Sequence, residues 1–204
     1  MKETVVRNVL NYLGYLSDAK ADQIVMDQIE KAWSELETIA GFQYVYGQYD
    51  TPLDFMLQHP AYMEYLKGAN GFLLCATTLG VQVDRRIKRI ETNDMQYAVI
   101  FDAVASVFLE DRADAYEAEL PFAERGYRFC PGYGGTPVLD CKTIATQLRA
   151  HRIGLTFLDS GLMVPMKSMV GIIRLGGDAR KSCAGCVAAK ECAYRRRGTT
   201  CWNN

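Results

Sequence analysis

GFLLCATTLG, residues 71–80, runs apolar and ends on glycine, which reads as a buried strand closed by a turn residue. Helical spacing takes over directly after it. From Val81 to about Leu120 apolar residues recur in two helical segments broken near Thr92–Asn93. Asn93 or Thr92 is the expected cap of the second segment, which presents Val99, Phe101, Ala103, Val107 and Leu109. Upstream, Ser17 or Asp18 is placed to cap a helix carrying Ile24, Val25, Ile29, Trp33, Leu36 and Ile39, with Gly41 as its stop. FQYVYGQY at 42–49 has strand composition, and Pro60 suits the first turn of a short helix. Downstream, a helix around 140–151 precedes LTFLDSGLMVPMKSMVGIIRLGG at 155–177, which reads as strands joined by a turn. Helices segregated from a few strands predict an α+β fold, with a mixed or antiparallel sheet and flanking helices.

The chain has 204 residues, 49% hydrophobic and 23% charged, which are globular values and exclude a wholly disordered protein. The longest apolar runs, such as 71–76 and 162–166, are too short to span a bilayer, and MKETVVRNVLNYLGY lacks a secretory signature. A soluble, cytoplasmic protein without a membrane partner is expected. The net charge of −1 also argues against a nucleic-acid partner. Charge is unevenly spread, however. Residues 1–173 carry 16 Lys and Arg against 22 Asp and Glu, whereas residues 174–204 carry seven against two. Four of the seven cysteines lie in that last stretch. The expected organisation is therefore an α+β domain over 1–175 and a Cys-rich basic tail over 176–204.

After Pro121 the composition turns to glycine, proline and aromatics, in RGYRFCPGYGGTP at 125–137. Glycines such as Gly132 let backbone amides approach a ligand closely. Arg128 offers a planar fork for a carboxylate, and Tyr133 an aromatic face for an adenine or a sulfonium. A tight surface turn with a salt-bridged arginine is the alternative reading of the same residues.

Arg128-x-x-x-Gly132-Tyr133-x-x-x-Pro137 resembles the R-x-x-x-G-Y-x-x-x-P signature of the activation domain of cobalamin-dependent methionine synthase. A second stretch, Ser160-x-x-Met163-x-Pro165-x-x-Ser168-x-x-Gly171, resembles that family's S-x-x-M-x-P-x-x-S-x-x-G, just downstream of the pair Leu155-Thr156. The likeness covers about residues 100–175. It implies a module that binds S-adenosylmethionine and supports reductive remethylation of cobalamin. The partner implied is methionine synthase or another corrinoid protein, with a flavodoxin or ferredoxin-type electron donor. The length leaves no room for homocysteine, folate and cobalamin modules, so a stand-alone reactivation module is expected rather than a complete methionine synthase.

By the same resemblance Arg128 would hold the ligand's carboxylate. Backbone groups at Cys130 and Gly132 would face its adenosine part, and Tyr133 would line the pocket. Glu110, in LEDRAD, falls where the family has a glutamate, and would pair with the ligand's ammonium or ribose; a solvated helix glutamate is the alternative. The family's aromatic two residues after its second-motif glycine is replaced here by Ile173, and its N-terminal aspartate has no match.

Cys183, Cys186, Cys192 and Cys201 form C-x2-C-x5-C-x8-C. In a cytosolic chain four such thiolates suit Zn²⁺ or an iron–sulfur cluster. Lys181, Lys190 and Arg195–Arg197 would offset the negative charge of either centre. Redox-active free thiols and incidental cysteines are the other readings. A non-catalytic metal-binding or redox-sensing protein on the same fold is accordingly the rival function. Cys75, Cys130 and Cys141 are expected to be small buried hydrophobes.

Overall fold

The strand read at 71–80 is the centre of the sheet. In a computed structural model describing residues 2–15, 21–177 and 190–196, β2 (Gly71–Thr78) is buried at every position. It pairs antiparallel with β1 (Gln43–Tyr49) on one side and with β6 (Ser168–Leu175) on the other. β3 (Arg125–Phe129) pairs antiparallel with the far side of β6, so the sheet order is β1-β2-β6-β3. A separate small hairpin joins β4 (Thr156–Phe157) to β5 (Met163–Val164).

The central strand lacks polar alternation because both faces of the sheet are covered. Phe72, Leu74 and Ala76 face a cluster with Tyr62, Phe129, Ile144, Val170 and Ile172. That cluster includes side chains from α3 (Asp54–Leu57), α4 (Pro60–Leu66) and α7 (Asp140–Gln147). Leu73 and Cys75 point the opposite way, with Ile173, Leu175, Tyr44, Leu120 and Phe122.

A third cluster is helical. α1 (Glu3–Tyr12), α2 (Gln23–Ile39), α5 (Val81–Glu91) and α6 (Met95–Ala118) bury Val9, Ile29, Leu36, Val83, Ile87, Phe101, Val104 and Phe108 together. α6, at 24 residues about 36 Å long, is the common neighbour of the other three. Its start lies among helices and its end reaches the sheet, where Tyr116 stacks on Tyr44 of β1. A short α8 (Ala193–Arg196) belongs to the last described segment.

The predicted element types hold, with corrections at their ends. Helix α2 is capped by Asp22, whose carboxylate accepts the Val25 N–H at 2.8 Å; Ser17 and Asp18 lie outside the described residues. Asp94 caps α6 through the Tyr97 N–H at 2.9 Å, in place of Thr92 or Asn93, whose side chains fold back onto the Arg89 carbonyl. Val99, read as a core residue, is exposed. The fold is α+β with an antiparallel sheet and flanking helices, as expected. β3 is the strand that sequence reading placed in a loop. Gly126 disguises it: a Cβ there would sit 2.5 Å from Cγ of Arg174, so the glycine marks a close approach rather than a turn. Among the described residues no helix is long and apolar enough to cross a membrane.

Buried Asp84, in the first turn of α5, ties the helical cluster to the segment before β6. Its carboxylate accepts the Met166 N–H at 2.6 Å and the Lys167 N–H at 3.4 Å. Asp84→Ala leaves those donors without their acceptor and is expected to lower stability by about 1–3 kcal/mol, measured by denaturant unfolding. A loss below about 0.5 kcal/mol, the range of neutral surface changes, would refute the tie.

Candidate functional site

Arg128 stands on β3, in register with Ile173 of β6, rather than in the loop that follows. Its stem crosses Gly171. A Cβ at Gly171 would lie 2.5 Å from Arg128 Cγ and 3.0 Å from Cδ. The two sequence motifs thus meet physically, since the final glycine of the second makes the space that the arginine of the first occupies. Ser168 of the second motif is buried at the start of β6, its hydroxyl 2.9 Å from Thr78 Oγ1 and 2.6 Å from the Pro165 carbonyl. These motif residues shape the sheet. Ile173 is buried in the sheet and presents no aromatic face.

The Arg128 side chain is only 9% exposed and already grips two carboxylates. Nη1 donates to Glu117 and Nη2 donates to Asp114 at 2.8 Å, both on α6. The partners differ. The Glu117 side chain is 12% exposed and also accepts the Tyr44 hydroxyl at 2.7 Å, whereas that of Asp114 is 71% exposed. Burial raises the Glu117 carboxyl above its usual range, although Arg128 and Tyr44 pull the other way. Burial alone would lower Arg128, but Glu117 and Asp114 outweigh it and hold the guanidinium above its ordinary value. Cys75 lies under the same network, and burial, then Glu117, pushes its thiol up to about 12.

Past β3 the chain turns sharply. The Tyr133 N–H donates to the Cys130 carbonyl at 3.3 Å, and the Gly132 N–H to Thr136 Oγ1 at 3.0 Å. Thr136 Oγ1 in turn donates to the Tyr133 carbonyl at 2.8 Å. Gly132 has φ +96°, a conformation that L side chains rarely adopt. The turn leaves the Tyr133 ring exposed and Cys130 half-buried, so Cys130 is not the enclosed hydrophobe expected, whereas Cys75 and Cys141 are buried.

Glu110 lies on α6 at the spacing i, i+4, i+7 with Asp114 and Glu117, which puts all three carboxylates on one helix face. It accepts a 2.8 Å hydrogen bond from the Tyr12 hydroxyl of α1. Burial, then Glu110, raises the Tyr12 phenol above its ordinary value, with Tyr133 and Cys130 adding in the same sense. Tyr12, Glu110, Cys130 and Tyr133 therefore share one neighbourhood. A cleft of about 170 Å³ opens on the Glu110 side, lined by Tyr12, Ser106, Glu110, Met166, Lys167 and Ser168. It is smaller than the roughly 300 Å³ of an ordinary ligand pocket, so a nucleoside-sized ligand would lie partly in the open. Lys167 at its floor is engaged by Asp102 at 2.8 Å and Ser106 at 2.9 Å.

Sequence reading names Glu110, Arg128, Cys130, Gly132 and Tyr133; the fold puts Glu110 on α6, Arg128 on β3 and the other three in the turn after it. It missed Tyr12, Asp114 and Thr136. Only Asp114 had a local signal, the helical spacing from Glu110. Of the four tail cysteines, Cys183, Cys186 and Cys201 lie outside the described residues, and Cys192 is a half-buried free thiol. Among the described residues no group of three or more His, Cys, Asp or Glu is arranged to hold a metal.

Gly171→Ala forces a methyl against a clamped arginine stem. It is expected to destabilise the fold by about 1–3 kcal/mol in denaturant unfolding. Stability equal to that of the parent protein would show that Arg128 is not held as described.

No sequence-family model matches the chain, and no curated protein does. Among solved structures, a crystal structure of the MetH reactivation domain bound to AdoHcy is similar over 98% of this chain and 84% of that one, with a TM-score of 0.61 and 14% identity. At that identity the likeness establishes the architecture: this chain has the same kind of α+β fold, with an antiparallel sheet and flanking helices.

Proposed function

We propose that the face formed by α6 and the turn after β3 binds S-adenosylmethionine and supports reductive remethylation of cobalamin on a corrinoid protein such as methionine synthase. The observation that carries this reading is the convergence of Glu110, Arg128, Cys130 and Tyr133 on one face, in a fold similar to a domain solved with AdoHcy. The donor set fits such a ligand: a guanidinium for its carboxylate, an exposed aromatic ring and turn backbone for its adenosine, and a carboxylate for its ammonium or ribose. S-adenosylmethionine would supply the methyl group, and the partner's cobalamin would receive it. Transfer from a sulfonium needs orientation rather than a proton donor or acceptor, and these residues orient. Arg128 fixes one end of the ligand, Tyr133 and the Cys130 backbone the other, and Glu110 the middle. Lacking an aromatic at Ile173, the site leans more on Tyr133. A flavodoxin or ferredoxin-type donor would supply the electron, in the cytoplasm. Complete methionine synthase activity is not part of this proposal.

Arg128→Ala is a poor test, because it strands Glu117 without its counter-charge at a cost of about 3–5 kcal/mol. Arg128→Lys keeps the charge and loses the planar fork. Its affinity for S-adenosylmethionine, titrated by calorimetry, is expected to fall about tenfold, the equivalent of 1.4 kcal/mol. Equal affinity would remove Arg128 from the ligand's carboxylate. The reaction itself is read from the absorption spectrum of methylcobalamin, formed with a cobalamin-loaded partner, a reductant and S-adenosylmethionine. No gain over a control without this protein would refute the reactivation role.

The division at 175/176 and a shared centre at Cys183, Cys186, Cys192 and Cys201 remain part of this reading. Four thiolates among basic residues favour Zn²⁺ or an iron–sulfur cluster, and ligation energy would order the tail. Anaerobic purification followed by metal and sulfide analysis checks it. Bound zinc without colour, or iron with sulfide and brown absorption, supports the centre. Metal-free protein with all four thiols freely alkylated refutes it.

A further inference from the structure

A ligand carboxylate that approaches Arg128 meets two carboxylates already paired with its Nη atoms, and the two are unequal. Glu117 is enclosed and shares its carboxylate with the hydroxyl of Tyr44, whose ring stacks on Tyr116. Taking its carboxylate away from Nη1 would leave an enclosed charge without its counter-ion. Asp114 is different. Its side chain is 71% exposed, and among the described residues it bonds only to Arg128 Nη2, at 2.8 Å. Water can solvate it once it is released, so its pair with Arg128 is the weak one. It also stands one helical turn from Glu110 on α6.

We propose that Asp114 holds the place on Arg128 Nη2 that a ligand carboxylate takes, so that binding is an exchange of one carboxylate for another. Glu117 stays on Nη1 as the fixed partner, and Asp114 swings into water. The exchange keeps Arg128 neutralised at every stage and makes the site answer to the carboxylate end of a ligand, not to its nucleoside alone. Asp114 is therefore a competitor that sets the affinity threshold. This rests on the assignment of Arg128 to the ligand's carboxylate.

Asp114→Asn keeps the size of the side chain and removes the competing charge. Calorimetric titration compares S-adenosylhomocysteine, which carries the carboxylate, with methylthioadenosine, which lacks the whole amino-acid end. In Asp114→Asn, S-adenosylhomocysteine is expected to bind roughly two- to fivefold tighter, the worth of an exposed ion pair, with methylthioadenosine unchanged. Asp114→Ala should move in the same direction. Unchanged or weaker binding of S-adenosylhomocysteine overturns the exchange while leaving Arg128 assigned, provided the parent protein prefers it to methylthioadenosine. A parent protein with no such preference removes the Arg128 assignment, and the exchange with it. Equal tightening for both ligands also overturns the exchange, because methylthioadenosine has no carboxylate to trade.

Discussion

One guanidinium joins the sheet to the long helix. Arg128 reaches from the edge strand across a gap that Gly171 leaves open, and its charge is met by Glu117 on α6. Both groups are largely withdrawn from water, where an ion without its counter-ion is costly, so each requires the other. Tyr44 adds a hydroxyl from the opposite edge strand to the same carboxylate. Strands β1 and β3, at the two ends of the sheet, are thereby attached to the same turn of α6. The position of β3 follows from this, as does the start of the turn that carries Tyr133.

The remaining architecture keeps α6 in place. The helices α1, α2 and α5 pack against α6 residues from Tyr97 to Leu109, and Asp84 fastens α5 to the segment entering β6. α1 then delivers Tyr12 to Glu110, so the candidate ligand face has a wall from each end of the described core. Supports of this kind would matter for the proposed function, in which these residues orient a ligand. Side chains held on a packed helix and an edge strand lose little freedom when a ligand arrives. Asp114 and Tyr133 are its solvent-exposed members.

Charge is graded along α6. Glu117 is enclosed, Glu110 is half-buried against a phenol, and Asp114 is in water between them. Three carboxylates of one helix face therefore sit in three different surroundings, set by how much solvent reaches each. Helix periodicity explains why they share a face, and their unequal burial explains why they are not equivalent.

The amino-acid sequence by itself determined most element types, the α+β class, the buried central strand and the two motifs, because these rest on local spacing of apolar, glycine and proline residues. It also marked Arg128, Tyr133 and Glu110 as worth attention. It did not reveal β3, since Gly126 looks like a turn residue until Arg174 is seen lying across it. It left open whether Arg128 is salt-bridged, and it did not show that Tyr12 belongs with Glu110 at a separation of 98 residues. Hydrogen bonds and ion pairs depend on separations of a few ångströms between side chains, and only tertiary packing brings distant residues that close. Which carboxylate is buried, and which faces water, was decided by where the sheet settled against α6.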